Sequence, residues 1–600
     1  MTHLKWPVMV VMAFCVMMIA APMPRNDNKI GMALKNRLSK MSLGEKELVW
    51  IYFKDKGADV NLKKNRAFQT LSSKALKRRA KVRSSDKLVD ERDIPVSQDY
   101  SKALEEKGIT IRNSSKWFNA VSAWATRDQI EMLNNVDFII TIDPVARFQK
   151  KKGIDESESV ELTHVLNKVS LSEFDSLFYG YSYSQLKQIK VPEMHQLGFF
   201  GQGVTIALLD NGFRLLSHEA LLGMNIVDTY DFVDKKENVA PVNSSAAFGS
   251  HGINTLSVIG GYKAGKLIGP AYKSDYILAR TENDSSETPL EEDNWIAAME
   301  WVEGLGADII SSSLGYINFD SSGALTYDKS VYNWTWMNGD STRITKAANI
   351  GVGMGLVVVN SAGNEFANIS HNTLGAPADG DSVIAVGAVD ASGIRAAFSS
   401  VGPTTRGRIK PDVMAMGYAV SMASATNTTG YVLNPGTSFS CPLTAGVCAL
   451  MLSAHPGLTP AQVRWALKMT ADNAGSPNNQ YGYGIINALA ASNYFGITGI
   501  PDTANTPDQY FLYQNASNPF GDETVIRYDV AKAGRVRITV YNVLGQEVKM
   551  LIDRHHSVQS GYTITWDGKD RHGNAVSSGM YFYRLEGNKF STTKKMILVR

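Results

Sequence analysis

Gly436-Thr437-Ser438-Phe439-Ser440-Cys441-Pro442 joins a small-residue turn, a serine and then an apolar run in one segment. The run, Leu443, Ala445, Val447, Cys448, Ala449, Leu450, Met451 and Leu452, predicts a buried helix. Ser438 then falls at that helix's N-terminus, where free backbone N–H groups and the helix dipole favour negative charge. Such a serine is placed to attack a carbonyl and to hold the oxyanion that results. Pro442 falls in the first turn, where a missing N–H costs little.

Two further pieces lie upstream. Val204-Thr205-Ile206-Ala207-Leu208-Leu209 has the pattern of a buried strand and ends in Asp210-Asn211-Gly212. His251-Gly252-Ile253 opens a helix-like stretch from Asn254 to Ile259. The order Asp, His, Ser is the one found in subtilisin. Together with Ser361-Ala362-Gly363-Asn364, these motifs resemble those of the subtilisin-like serine peptidases, the subtilases.

The resemblance implies four roles. Ser438 is the nucleophile and His251 the general base, which later returns its proton to the leaving amine. Asp210 orients His251 and stabilises the imidazolium. Asn364 donates its side-chain amide to the oxyanion, beside the backbone N–H of Ser438. Ser311, Ser312, Ser313, Leu314 and Gly315 resemble the segment on which an extended substrate adds as a strand. Ser361, Ala362 and Gly363, with Gly375-Ala376-Pro377, are expected to line the primary specificity pocket. These residues are small or apolar, so tolerance for apolar residues before the scissile bond is expected. Asn211, Ile253, Phe439 and Cys441 depart from the family's usual Thr or Ser, Thr, Met and Ala. None removes a catalytic atom. Ile253 and Phe439 change the surroundings of His251, and the alternative they raise is a catalytically silent scaffold used for surface binding.

The elements that must position these residues alternate between strands and helices. Buried runs occur at 308–311, 356–360 and 382–389, with helical stretches at 294–303 and 342–350. That alternation predicts an α/β fold, a doubly wound parallel sheet of subtilisin-like type, with sites at the carboxyl ends of strands. Between Gly315 and Thr342 lies an insertion rich in Asp, Asn, Tyr and Trp; it is open between a plain surface loop, a cleft rim and a calcium site. No ligand pattern claims a metal, and the resemblance admits structural calcium as the one cofactor.

Six hundred residues, 44% hydrophobic and 20% charged, describe a globular chain of three or four domains. A net charge of +3 gives no reason to expect a nucleic-acid partner. Lys5, an apolar run from Val8 to Ala21 and then Pro22 have the shape of a secretory signal peptide over residues 1–21, the run being short for a membrane span. No other segment reads as long and apolar enough to span a membrane. Of three cysteines, Cys441 and Cys448 stand seven apart, about 10 Å along a helix, too far for a disulfide. Cys441 reads as a small core residue and not as a nucleophile.

Residues 46–149 mix strand and helix patterns: strands at 48–53, 115–122 and 138–142, a helix near 127–133, and a basic helix at 72–80 read as a solvated face. This small α+β module resembles the inhibitory propeptide of subtilases. Residues 150–183 are polar and charged and read as the linker and processing region; 184–494 form the catalytic domain. Past a Pro/Thr/Asp linker at 499–508, residues 509–600 alternate as a β-sandwich. Its motifs, Asn515 to Phe520, Tyr541-Asn542-Val543-Leu544-Gly545, Ser578-Gly579-Met580-Tyr581 and the closing Lys594 to Val599, resemble the sorting domains of type IX secretion cargo. The expected whole is an exported serine endopeptidase precursor, moved through the inner membrane by its signal and across an outer membrane to the cell surface or the medium. Its expected partners are protein or peptide substrates, its own propeptide as inhibitor and the type IX machinery.

Overall fold

A computed structural model describes residues 28–145, 160–161, 177–241, 249–283, 292–316, 334–366, 371–495, 510–512, 515, 518–557, 559–588 and 590–599. The expected signal peptide, the expected linker at 499–508, most of the expected processing region and most of the 315–342 insertion lie outside the described residues.

The centre is a seven-stranded parallel sheet. In chain order its strands are β1 (Thr205–Asp210), β2 (Asn225–Asp231), β3 (Asp275–Arg280), β4 (Ile309–Ser312), β5 (Val357–Ser361), β6 (Ile384–Val389) and β7 (Val413–Met416). They lie side by side as β7-β6-β5-β4-β1-β3-β2. The chain therefore starts in the middle and winds both ways, and β1 and β4 meet at the switch point, where open α/β sheets place their sites.

Successive strand residues point to opposite faces, and both faces are covered. Ile206, Leu208, Val357 and Val359 pack beneath helices α1 (Ser250–Gly260) and α4 (Thr437–Ala454). Ala207, Leu209, Ile310 and Val358 pack against α2 (Glu292–Leu305) and α3 (Arg343–Gly353), through Trp295, Met299, Ile344 and Ala348. Burial on both sides is why these strands read as continuous apolar runs. Helix α4 has the length and composition of a membrane span, which corrects the expectation that only the N-terminal run has them. Its residues from Thr437 to Leu452 are all buried in the core.

Outside α2 and α3 lies the N-terminal α+β module. Its antiparallel strands run in the order Thr110–Ser115, Ala120–Thr126, Lys46–Phe53, Ile139–Pro144. One face sends Leu48, Trp50 and Ala120 into the α2/α3 core. The other packs Val49, Ile51, Val121 and Ala123 on helices Met32–Leu38, Gln98–Glu105 and Arg127–Leu133 through Leu34, Leu104 and Ile130.

Two sequence readings fail here. Residues 115–122 are not one strand: Ser115 ends one, residues 120–122 begin the next, and 116–119 make the hairpin turn, with Asn119 at φ 51°. The basic helix, Ser73–Arg79, is not a solvated face: Arg78 and Arg79 are fully buried. The tail is a sandwich of three-stranded and four-stranded antiparallel sheets around Ile526, Tyr528, Ile538, Trp566, Tyr583 and Leu585.

Candidate active site

Asp210 is the last residue of β1 and is 2% exposed. Such burial of a carboxylate requires donors. His251, the second residue of α1, supplies one: its Nδ1 lies 2.7 Å from Asp210 Oδ1. Asn211 N–H donates to the same oxygen at 2.8 Å. Thr255 Oγ1 donates to Asp210 Oδ2 at 2.9 Å. The carboxylate on Nδ1 fixes the orientation of the ring.

The start of α1 is bound to the Asp210 loop. Gly252 N–H donates to Asn211 Oδ1 at 3.0 Å, so the asparagine that departs from the family pattern clamps the His251 helix. A Cβ on Gly252 would stand 2.1 Å from Gly212 O, so only glycine allows this approach. Ile253, the departure that lies on α1, is a core residue with no exposed surface.

Ser438 is the second residue of α4. Its Oγ donates toward Ser313 O at 3.4 Å, and Ser313 Oγ donates to Ser438 O at 2.7 Å, tying the helix start to the end of β4. Phe439 packs at a ring-centre distance of 5.9 Å from His251. Asn364 follows β5, and its Oδ1 accepts from Thr437 N at 2.9 Å and from Thr437 Oγ1 at 2.8 Å. Two donors on the oxygen fix which end of the carboxamide is which, and its N–H₂ faces away from Thr437. Gly363 N–H donates to Thr437 Oγ1 at 3.3 Å and completes the link. The four residues singled out for chemistry thus come from the carboxyl ends of two interior strands and the starts of two helices.

The residues assigned to substrate divide. Ser311 Oγ contacts Cys441 Sγ at 3.8 Å, and Ser312 Oγ accepts from Trp295 Nε1 at 3.0 Å, so both side chains serve the interior. Ser313, Leu314 and Gly315 continue toward the surface, and Gly315 is exposed. The next residue, Tyr316, forms a bridge to Ala376. Ser361 and Ala362 are buried at the end of β5, with Ala362 bonded through its N–H to Val386 O and through its O to Gly375 N–H. Cys441 is fully buried, and burial pushes its thiol up to about 12. That is a core residue, as its sequence context suggests.

Sequence reasoning missed two supporting residues. Thr255 lies four positions after His251, hence on the same helix face. Asn360 Nδ2 donates to Leu314 O at 2.8 Å and Ser361 O at 2.9 Å, holding the two cleft strands together. A polar residue closing the apolar run Val357–Val359 was its only signal.

The family model of the subtilase family matches residues 201–484. That of the peptidase S8 propeptide domain of Bacteroidota matches 48–159, and that of a secretion system C-terminal sorting domain matches 517–599. Subtilisin amylosacchariticus of Bacillus subtilis subsp. amylosacchariticus is 31% identical over 390 residues, covering 65% of this chain and 84% of that one. The chain belongs to the subtilase family. Subtilisin of Bacillus pumilus is 34% identical over 308 residues, covering 51% of this chain and 97% of its own. Fervidolysin from Fervidobacterium pennivorans, titled a keratinolytic enzyme related to subtilisin, shares the fold with a TM-score of 0.52. It is 19% identical, over 91% of this chain and 71% of that one. This subtilase is a serine endopeptidase, made as a precursor with a propeptide and a type IX sorting domain that directs it outside the cell or to its surface.

Calcium is common among subtilisins. Several carboxylates are matched by cations: Asp412 by Lys410, Arg464 and Lys468, Glu219 by Lys263 and Lys266, and Asp231 and Asp234 by Arg280. Among the described residues, no group of three or more His, Cys, Asp or Glu side chains is arranged to hold a metal.

Proposed function

We propose that the subtilase cleaves peptide bonds through an Asp210–His251–Ser438 triad and an acyl-enzyme. The observation that carries this is the 2.7 Å bond between His251 Nδ1 and Asp210 Oδ1, with Ser438 at the start of α4 and Asn364 beside it. Ser438 Oγ attacks the scissile carbonyl while His251 Nε2 takes its proton. The oxyanion forms between the Asn364 amide and the Ser438 N–H, at the positive end of α4. His251 then protonates the leaving amine, and water repeats the sequence on the ester. The substrate lies extended along Ser313, Leu314 and Gly315, with its side chain before the scissile bond near Ser361, Ala362 and Gly363.

The precursor is self-inhibited. Residues 1–21 are its signal peptide, 46–149 the inhibitory propeptide, 150–183 the linker that is cut, 184–494 the catalytic unit and 509–600 the sorting domain. Burst kinetics with an activated peptide ester test the acyl-enzyme: one equivalent of alcohol released per Ser438 before the steady state supports it, and no burst with Ser438-dependent turnover of that ester speaks against its accumulation.

A further inference from the structure

Among the described residues, the propeptide packs on the enzyme both through its sheet and through one helix. Its sheet lies on α2 and α3, and its helix Ser73–Arg79 lies across the C-terminal ends of the same two helices. Such ends carry unpaired carbonyls and partial negative charge. Arg78 Nε donates to Met354 O at 3.2 Å, its Nη2 to Glu303 O at 3.1 Å and its Nη1 to Ala307 O. Arg83 Nε donates to Gly353 O at 3.0 Å, and Ser72 N–H to Gly304 O at 3.2 Å. The fit is close: a Cβ on Gly306 would stand 2.8 Å from Lys74 Cβ and 3.1 Å from Ala75 N.

Glu303 lies in the last turn of α2, where the dipole disfavours an anion. The propeptide neutralises it. Arg79 Nε and Nη2 reach its Oε1 at 2.8 Å and Oε2 at 2.6 Å, and Arg78 Nη2 also bonds Oε1. The other side of Arg79 is held by Asp93 of the propeptide at 2.9 and 2.6 Å. Arg78, Arg79 and Glu303 are at most 1% exposed.

This contact is remote from the cleft. Lys74 Nζ pairs with Asp308 at 3.3 Å and bonds Thr205 Oγ1, at the first residue of β1. Asp210 is the last residue of that strand, five steps of about 3.3 Å away, or roughly 17 Å. The contact therefore does not itself fill the active site.

We infer that Arg78 and Arg79 on Glu303 form a second anchor, which keeps the cleaved propeptide seated on the enzyme and so sets how long the cut precursor stays latent. This rests on the self-inhibited precursor proposed above. Removing one partner of a buried charge pair leaves the other uncompensated, and the cost corresponds to about 10²–10³ in the residence time of the propeptide.

Self-processing of the full-length precursor tests it. Intact mass follows the cut between propeptide and enzyme, and a fluorogenic peptide follows activity. Wild type is expected to lose its covalent link well before it gains activity, with the propeptide co-eluting on gel filtration in between. Glu303→Gln, which keeps the shape and removes the charge, is expected to shorten that lag about 100-fold and to reach the same final kcat/KM. Arg79→Lys keeps the charge and loses the two-pronged contact; it serves as the second variant, with an intermediate lag. Activity that appears together with the cut in wild type, or a lag unchanged in both variants, overturns the anchor. A wild-type chain that never cuts itself overturns the peptidase reading instead.

Discussion

Asn364 and Thr437 are joined by two hydrogen bonds to one oxygen: Asn364 Oδ1 accepts both the N–H and the hydroxyl of Thr437, at 2.9 and 2.8 Å. The carboxamide is thereby locked with its N–H₂ turned away from Thr437, and the residue after Thr437 is Ser438. In the proposed mechanism that amide is oriented before any substrate arrives, so little reorganisation is needed as charge develops on the oxyanion.

Asn364→Leu is expected to lower kcat by about 10²–10³ with KM little changed, the loss that subtilisin suffers when its oxyanion asparagine is removed. Thr437→Val, which takes away one of the two donors holding Asn364, is expected to fall between this variant and wild type. Steady-state kinetics on one peptide substrate measure both.

Thr255 acts through Asp210 and is a positioning residue. Thr255→Val removes the hydroxyl that donates to Asp210 Oδ2. A hydrogen bond to a charged group contributes about 1.5–3 kcal/mol, so kcat is expected to fall about 10- to 100-fold. Thr255→Ser, which keeps the hydroxyl, is expected to retain near wild-type kcat, whereas a purely steric effect of the valine leaves no reason for that difference.

Cys441 and Cys448 are buried, and burial raises both thiols, Cys441 to about 12. Iodoacetamide at pH 8 is expected to leave the native enzyme unlabelled and fully active, and to label both cysteines in guanidinium chloride. Mass spectrometry reads the difference.

Glu300 accepts from the propeptide's Ser115 hydroxyl and from Lys116 N–H and Trp117 N–H at 2.8 and 3.2 Å. Burial raises its carboxyl from 4.5 to about 7, against the opposing effect of those hydrogen bonds. A group whose pKa is raised in the docked state contributes stability that is complete below its free value and is lost as pH rises through the docked one. Propeptide release is therefore expected to quicken between pH 4.5 and pH 7 and to level off above. Glu300→Gln is expected to flatten that dependence, measured as the dissociation rate of the cut propeptide across this range.

The parts legible in the sequence were those whose signal is local. Asp210, His251, Asn364 and Ser438 each sit in a short motif, and β1, β5 and β6 are largely apolar runs because both faces are buried. The edge strand β2 has mostly part-buried and exposed residues and no alternation, so it left no pattern. Helix Ser73–Arg79 was read as solvated because basic residues usually are, while the partner that buries Arg79, Glu303, lies 224 residues away. Long-range ion pairs leave no periodicity. Thr255 was legible in principle from its spacing to His251, whereas Asn360 needed the neighbouring strand.

Treatment of the secreted wild type and of Ser438→Ala with a fluorophosphonate, followed by intact mass, bears most directly on the central claim. The account predicts one label on wild type, none on Ser438→Ala, and loss of about 100–150 N-terminal residues in wild type alone, the span of a propeptide and its linker. Equal labelling of both proteins, or a folded wild type that neither labels nor matures, would contradict it.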